Sequence, residues 1–576
     1  MASGGSGGRR RRGAVLAAGA ALALLASGCA SIPMDGETGT LEVDEPMDGL
    51  RSEIEPDGPE EGAQPSDIVR GFLAAGVGYS DDFAVARSFL TEDFAREWDP
   101  QAGVVVMAPE TSFDSVTADV TSDQQDVTLP LPVAASVDSA HVYRERRRNT
   151  SVEREFSLRQ VNGEWRISEA PDGLVLTSSS FGTVFSAYQL YFYTPGLQNL
   201  VPDTRWFIRS TSTATELVNA LLAGPAEHLD GAVVSAVPDG TRLEQGSVTV
   251  EGGVAEVSLD SSAQALDGED AERLVTQISE TLRGLSSTTS VEVSSPAGEL
   301  SSGAGQAPPV GVQTDQRPVL VSGGRLARLA DTRIEPLGGL PDPPADISDP
   351  AVSFDEEMYA YLAAGGTELH RVLAEAGEDE VMVTDAEGLV GPSFDRFGNV
   401  WTSARDSPHH FEVVRSSGET ATIAVQWLAD RSVRALGVSR DGTRLAVLSA
   451  NGDGIPQIDV IGIVRNSEGE PSGLTSGTPL RVGAGFDEIA DVTWAGSSQL
   501  AVLASERAGG AAQPHLVGVG GPGRELGEVE GGASITASTD TPSIRVTTED
   551  GELYSFGSDS WQKVVDLVAF DPAYPG

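Results

Sequence analysis

The chain carries one thiol, Cys29, in 576 residues, and its setting decides what chemistry is open to it. Arg9, Arg10, Arg11 and Arg12 precede an apolar run from Ala14 to Ala26, which ends in Ser27-Gly28-Cys29. This is the order of a secretory signal: a positive n-region, an apolar h-region and a small-residue cleavage site. A membrane-spanning helix needs about 20 apolar residues, so the run is too short to remain as a span. Cleavage between Gly28 and Cys29 places the thiol on the first residue of the mature chain, where a lipid anchor would be attached.

Other chemistry is sparse. The histidines are His141, His228, His370, His409, His410 and His515. No pair has the i, i+4 spacing of a zinc-binding helix, and no further cysteine completes a site. His409 and His410 point to opposite faces if they lie on a strand, so a solvated loop outweighs a metal pair. A P-loop is excluded because Lys563 is the only lysine. Asn451-Gly452-Asp453-Gly454 offers two side-chain oxygens but lacks the following acids and terminal Glu of a calcium loop, and reads as a hairpin turn. Arg144, Arg146, Arg147 and Arg148 form the basic cluster of the mature chain. On a strand they alternate faces, balanced by Glu145 and Glu153, with a phosphate or anionic-polymer contact as the alternative. No catalytic, cofactor-binding or metal-binding residue is expected.

The segment Leu25-Ala26-Ser27-Gly28-Cys29 resembles the processing signal of bacterial lipoproteins, Leu-(Ala/Ser)-(Gly/Ala)-Cys, with one departure: Ala26 stands where that pattern has Leu. The resemblance implies cleavage between Gly28 and Cys29, with Cys29 bearing an S-diacylglycerol and an N-acyl chain. An ordinary signal peptide is the alternative, but it requires a solitary cysteine to fall at the cleavage point by accident. A single lipid chain binds a membrane only marginally, whereas two or three hold it firmly. The expected location is therefore the extracytoplasmic face of the cell membrane, lipid-anchored.

Removing residues 1–28 removes four arginines and no acids, which leaves 34 basic against 86 acidic residues and a net charge of 34 − 86 = −52. That charge repels nucleic acid and anionic headgroups, so nucleic-acid function is excluded and a neutral or basic partner surface is favoured. The near-exclusive use of arginine over lysine, with abundant Ala, Gly, Asp and Glu, points to a GC-rich genome of actinobacterial type. With the thiol lipidated, disulfides play no part in the fold.

The pattern divides the chain into parts. Residues 29–64 are rich in Asp, Glu, Gly and Pro and read as an acidic disordered tether. Residues 65–200 read as an α+β domain. Ile68, Val69, Phe72 and Leu73 recur at helical spacing behind Ser66, placed to cap. Further helices lie at Phe83–Leu90 and from Thr91 to Pro100, and alternating strands run from Val116 to Ile167, including a hairpin turn at Asn162-Gly163. Residues 201–300 form a second α+β unit, with a capping box at Thr213-Ala214-Thr215-Glu216, a helix stopped by Gly224-Pro225, strands about Glu251-Gly252-Gly253, a helix from near Asp267 to Gly284, and a strand at Ser290–Val293.

This second unit resembles the GerMN domain of spore-germination proteins. The residues that carry the resemblance are Leu221-Leu222-Ala223-Gly224-Pro225, Ala236-Val237-Pro238-Asp239-Gly240-Thr241 and Val254-Ala255-Glu256-Val257. The resemblance brings no catalytic residues with it. Residues 301–317 read as a linker, and 318–576 as an all-β propeller of about five or six blades. The propeller rests on a turn plus strand that repeats at about 40–45 residues: Ser353-Phe354-Asp355, Ser393-Phe394-Asp395-Arg396-Phe397-Gly398 and Ser439-Arg440-Asp441-Gly442, with Thr493-Trp494 and Asp550-Gly551 as diverged copies.

The fold class expected is thus multi-domain, two α+β domains followed by the propeller. The whole arrangement, with Val69-Arg70-Gly71-Phe72-Leu73 and Trp98-Asp99-Pro100, resembles the actinobacterial LpqB lipoprotein family. The resemblance implies a non-enzymatic modulator of a sensor histidine kinase, since members are associated with the extracellular part of the kinase MtrB, and through it a role in cell-envelope homeostasis. The alternative is a binder of cell-wall glycan or peptidoglycan through the propeller face. Neither the interface residues nor the sign of any effect on the kinase can be read from the sequence.

Cys29→Ala is expected to leave the precursor unprocessed or to release the protein into the medium. Detergent partitioning and intact mass check this, and a variant that partitions and shifts in mass like the parent removes the anchor.

Overall fold

In the computed structural model the described residues are Met1, 55–109, 111–113, 119–121, 126–266, 268–300, 308–385, 387–406, 408–564 and 567–576. Cys29, Gly28 and nearly all of the expected tether lie outside them. No helix among the described residues is long and apolar enough to cross a membrane.

The first domain begins with α1 (Pro65–Ala74), α2 (Ala84–Ser88) and α3 (Glu92–Glu97). Ser66 is not the cap of α1: Gln64 holds the N-cap position and Pro65 opens the helix, where its missing N–H costs nothing. α1 buries Ile68, Val69, Phe72 and Leu73 against a sheet of β1 (Val104–Met107), β2 (Asp119–Thr121), β3 (Asp126–Val137), β4 (Tyr143–Glu145), β5 (Ser151–Val161), β6 (Glu164–Glu169) and β7 (Leu174–Leu176). The order is β6-β5-β3-β1-β7, with β2 and β4 also on β3. On β3 every second residue from Val127 to Val137 is buried, the period of a strand with one core face. At the hairpin, Asn162 and Gly163 take φ of 55° and 90°, as a type I′ turn demands. α4 (Ser178–Val184) closes the domain.

The second domain opens earlier than expected. β8 (Phe185–Tyr193) and β9 (Leu200–Ile208) form a long antiparallel hairpin, so a boundary at 200/201 cuts the hairpin after the first residue of β9. The hairpin belongs to this domain because Leu190, Phe192, Val201 and Phe207 are fully buried in its core. Above them lie α5 (Thr213–Ala223) and α6 (Gly268–Leu282), beside a sheet of β10 (Thr249–Glu251), β11 (Val254–Ser258), β12 (Ser290–Ser295) and β13 (Gly298–Leu300). Tyr193 Oη donates to Arg273 O on α6 at 2.9 Å. The expected capping box does not form: Ser212 is the N-cap of α5 without a side-chain bond to the helix backbone, and its hydroxyl donates to Glu216 Oε1 at 2.7 Å. Thr213 Oγ1 instead donates to Ile208 O at 2.8 Å, tying the helix to the hairpin.

The third domain is a propeller of six blades among the described residues. The inner strands Phe570–Ala573, Ser348–Val352, Ser393–Phe394, Arg431–Val438, Glu488–Ala495 and Gly532–Thr536 follow one another around the axis and return to the first. The ring is closed by its own carboxy-terminus: Phe570–Ala573 pairs with Val319–Ser322 of the first blade. The repeated turn joins inner to second strand. In the second blade Ser353 Oγ donates to Asp355 Oδ1 at 2.5 Å and accepts from Met358 N at 3.0 Å. In the fourth, Ser439 Oγ donates to Asp441 Oδ1 at 2.7 Å and accepts from Arg444 N at 3.0 Å. Asp550-Gly551 is not a copy of this turn. It joins the second and third strands of the sixth blade, Arg545–Thr548 and Leu553–Gly557, because any tight hairpin favours the same Asp and Gly.

Because the closing strand lies within 318–576, residues 317–576 are expected to fold on their own, while removal of 569–576 from that fragment abolishes cooperative thermal unfolding. Circular dichroism melts of the two fragments check this, and equal melting with and without the last strand contradicts it.

Candidate functional site

The expected site residues do not converge. Among the described residues no group of three or more His, Cys, Asp or Glu is placed to hold a metal ion. His370 is held on the second blade by Asp379 at 2.9 Å and Glu368 at 3.3 Å, stacked on Tyr361. His410 meets Glu412 at 2.7 Å, and His515 Nδ1 meets Gln513 O at 2.8 Å. Asn451 Oδ1 accepts from Asp453 N and Ile455 N at 3.1 and 2.9 Å, the bonds of a hairpin turn.

The basic cluster resolves differently from expectation. Arg144 pairs with Asp138 at 3.3 Å and Arg146 reaches Ser136 at 3.1 Å. Arg148 pairs with Glu506 of the propeller. Glu145 does not balance these arginines. It turns into the junction between domains, where Oε2 accepts from Ala484 N of the propeller at 2.7 Å. Burial there pushes its carboxyl up to about 7.

Glu145 is one part of a larger junction. The loop after α5, Pro225–Ala232, lies against the fourth blade. His228 O accepts from Gly462 N at 2.7 Å and from Thr475 Oγ1 at 3.2 Å. The third strand of that blade, Pro456–Arg465, is forked there: its last residues pair with Pro471–Leu474 and its first with Leu480–Val482. The loop backbone enters at the fork and takes the Gly462 N–H. Two glycines permit the approach. A Cβ on Gly462 would sit 2.6 Å from Ala232 Cβ, and one on Gly477 would sit 2.2 Å from Glu227 O. The His228 ring is fully buried, and desolvation lowers it to about 4, so it is a neutral packing group. From β9, Trp206 Nε1 donates to Gly520 O of the fifth blade at 2.8 Å.

The loop is positioned by a buried ion pair. Asp203 and Arg205, both on β9, meet through Arg205 Nε to Oδ1 at 3.0 Å and Nη2 to Oδ2 at 2.7 Å. Asp203 Oδ2 also accepts from Ala226 N at 2.9 Å, at the start of the loop, while Arg205 Nη1 donates to Ala140 O of the first domain. The pair therefore ties the first domain to the loop of the second, whose His228 carbonyl in turn meets the propeller. Sequence reading missed it, because neighbouring Asp and Arg on a strand look like an ordinary solvated face.

One face of the propeller axis is filled. Arg440, from the repeated turn of the fourth blade, donates to Trp494 O, Ser538 O and Ala537 O at 3.3, 3.2 and 2.7 Å, and burial lowers its guanidinium to about 10. The described part of the expected linker runs over this face, with Thr314 Oγ1 3.2 Å from Ser538 Oγ. The terminal Gly576 N donates to Val352 O at 3.1 Å. The inner strands have a free edge toward the axis, and side chains of one blade serve the next. Ser393 Oγ accepts from Val438 N at 3.0 Å, Asp491 Oδ2 from Ile535 N at 2.9 Å and Asp571 Oδ2 from Asp349 N at 3.3 Å. Burial raises Asp491 to about 7 and Asp571 to about 6.

Fold and junction define a class: a germination-type α+β domain wedged between a small α+β domain and a self-closed propeller. Matches to known families follow the same division. Residues 58–182 match the family described as "Lipoprotein LpqB, N-terminal domain", 189–295 "Sporulation and spore germination", and 324–575 "Lipoprotein LpqB beta-propeller domain". The chain belongs to the LpqB lipoprotein family. Relatives named Lipoprotein LpqB include that of Streptomyces avermitilis, 27% identical over 96% of this chain and 97% of the relative, and that of Thermobifida fusca, 28% identical over 97% and 98%. Among solved structures, TolB from Acinetobacter baumannii aligns at 16% identity and TM-score 0.35 over 45% of this chain and 66% of that one.

Glu145, raised from 4.5 to about 7, binds a proton in the folded state across that window while the unfolded chain does not. Its contribution to stability therefore falls as pH rises from 4.5 to 7. Glu145→Gln keeps an acceptor for Ala484 and removes the charge. It is expected to melt higher than the parent at pH 8 and level with it near pH 4.5. Calorimetric melting at both pH values checks this, and a difference independent of pH contradicts it.

Proposed function

We propose that this chain is a non-enzymatic, lipid-anchored protein of the extracytoplasmic face that modulates a sensor histidine kinase by binding the kinase's extracellular domain, and through it cell-envelope homeostasis. Family membership motivates the partner. The structural observation that carries the reading is the junction itself. Three domains are fastened by buried polar contacts at Glu145, Asp203, Arg205 and His228, which suits a preassembled docking body better than a set of independent modules. The families and relatives that match are named as lipoproteins and a sporulation and germination domain, and none of those names denotes an enzyme. Glycan binding at the propeller's axial face draws less support, because Arg440, Thr314 and Gly576 fill one end of that face.

The mature chain's net charge of 34 − 86 = −52 calls for a basic or polar contact surface on the partner. Binding of the full chain to the kinase's extracellular domain is therefore expected to weaken as salt rises toward about 0.15 M, where the Debye length is about 8 Å. Calorimetry at two salt concentrations measures it. No heat at low salt, with both proteins folded, removes the kinase reading and promotes cell-wall glycan in its place.

A further inference from the structure

The basic turn of the first domain is carried onto the propeller. β4 runs beside Leu480–Val482, and Glu145 is fastened to Ala484, so the residues that follow, 146–149, are held against the fourth and fifth blades. Thr150 closes the turn: its N–H and its hydroxyl donate to Arg147 O at 3.1 and 2.6 Å. Arg148 is used up by Glu506. Arg147 is exposed, and its guanidinium has no partner among the described residues.

The fourth blade meets this turn with two more arginines. Arg431, at the start of the inner strand, donates through Nε to Ser449 Oγ at 2.7 Å and through Nη2 to Ser449 O and Ile455 O at 3.2 and 3.4 Å. Its Nη1 has no partner among the described residues. Arg481, on Leu480–Val482, is exposed and reaches only Asp459, with Nε 3.8 Å from Oδ1. Asp459 is a weak counter-charge. Both of its oxygens already accept from Gln457 Nε2, at 2.7 and 2.5 Å, and burial raises its carboxyl above the ordinary range. Burial lowers the Arg431 guanidinium, and the nearby charges of Arg481 and Arg147 add to this. Asp430 and Asp453 lie close by in the chain, but neither pairs with any of the three arginines among the described residues.

Three guanidiniums thus surround one buried carboxylate, in a mature chain of net charge 34 − 86 = −52. We propose that Arg147, Arg431 and Arg481 form a site for a compact phosphate ligand of the diphosphate class, held between the first domain and the fourth blade. The three arginines come from a turn, an inner strand and an outer strand. A phosphoryl group offers acceptor oxygens in three directions, and each guanidinium can meet one or two of them. An extended anionic surface fits less well, because it would bring the remaining acids of the chain within a Debye length of its own charge. A compact ligand meets only the arginines.

The test is calorimetric titration of the full chain with pyrophosphate at low salt, beside citrate as a carboxylate of comparable charge. Pyrophosphate is expected to bind more tightly than citrate and to raise the melting temperature, since only the folded junction assembles the site. Arg147→Gln and Arg481→Gln are each expected to weaken pyrophosphate about tenfold, the size of a charge-assisted hydrogen bond. Arg325→Gln removes the same charge from an exposed arginine paired with Asp342 and is expected to leave affinity unchanged. Without ligand, Arg147→Gln is expected to melt with the parent, because its guanidinium touches no partner. Flotation with phosphatidylcholine vesicles, with and without phosphatidylglycerol, separates the lipid anchor, which inserts into both, from recognition of anionic headgroups. No binding of pyrophosphate at millimolar concentration, citrate binding as tightly, or equal losses from Arg147→Gln and Arg325→Gln overturns the proposal. A preference for phosphatidylglycerol vesicles without pyrophosphate binding also overturns it, in favour of a membrane surface.

Discussion

The pairing of Asp203 with Arg205 holds the molecule's order together. Both side chains are almost wholly excluded from water, so neither charge is tolerable without the other. Removing one partner of such a pair costs about 3–5 kcal/mol, because the survivor is left buried and unpaired. The remaining hydrogen-bonding capacity of the two groups is directed outward, to Ala140 of the first domain and Ala226 of the loop that enters the propeller. Arg205 thus fixes how β9 meets the turn before β4, and Asp203 fixes where the loop begins. The His228 carbonyl then reaches Gly462 only because Gly462 and Gly477 have no side chains in its way.

The propeller answers a different constraint. A ring of sheets has inner edges with unpaired N–H groups, and it has two chain ends that must be joined. The ends are joined by pairing Phe570–Ala573 with Val319–Ser322. The edges are served by Ser393, Asp491 and Asp571, each reaching the backbone of the next blade. Burial at that position, with Asp349 close by, raises the carboxyls of Asp491 and Asp571, while the backbone N–H groups they accept from pull the other way. Arg440 does the same in reverse, donating hydrogen bonds to carbonyls of the fifth and sixth blades.

The elements were legible where local chemistry is periodic. α1 follows from Ile68, Val69, Phe72 and Leu73, and β3 from its alternation; the I′ turn follows from Asn162-Gly163. The propeller followed from its repeated Ser and Asp, whose side chains close the turn within five residues. Local chemistry also misled where one signal fits several places. Ser66 and Thr213 are cap residues by type, yet the caps are Gln64 and Ser212. Asp550-Gly551 makes a tight turn between a different pair of strands. The hairpin of β8 and β9 went unassigned because its two strands count as one unit only through their shared core with α5 and α6.

The sequence by itself determined the strongly acidic net charge, the three-domain order and the propeller, because each depends on composition or on spacing along the chain, and it is the sole ground for expecting a lipid anchor at Cys29. Only the tertiary structure decided that Glu145 belongs to a junction and not to a surface cluster, and that Asp203 and Arg205 tie the first domain to the loop that meets the propeller. These are contacts between residues far apart in the chain, such as Glu145 with Ala484 and Trp206 with Gly520. A side chain's solvation, and with it the meaning of its charge, is set by neighbours that linear order does not reveal.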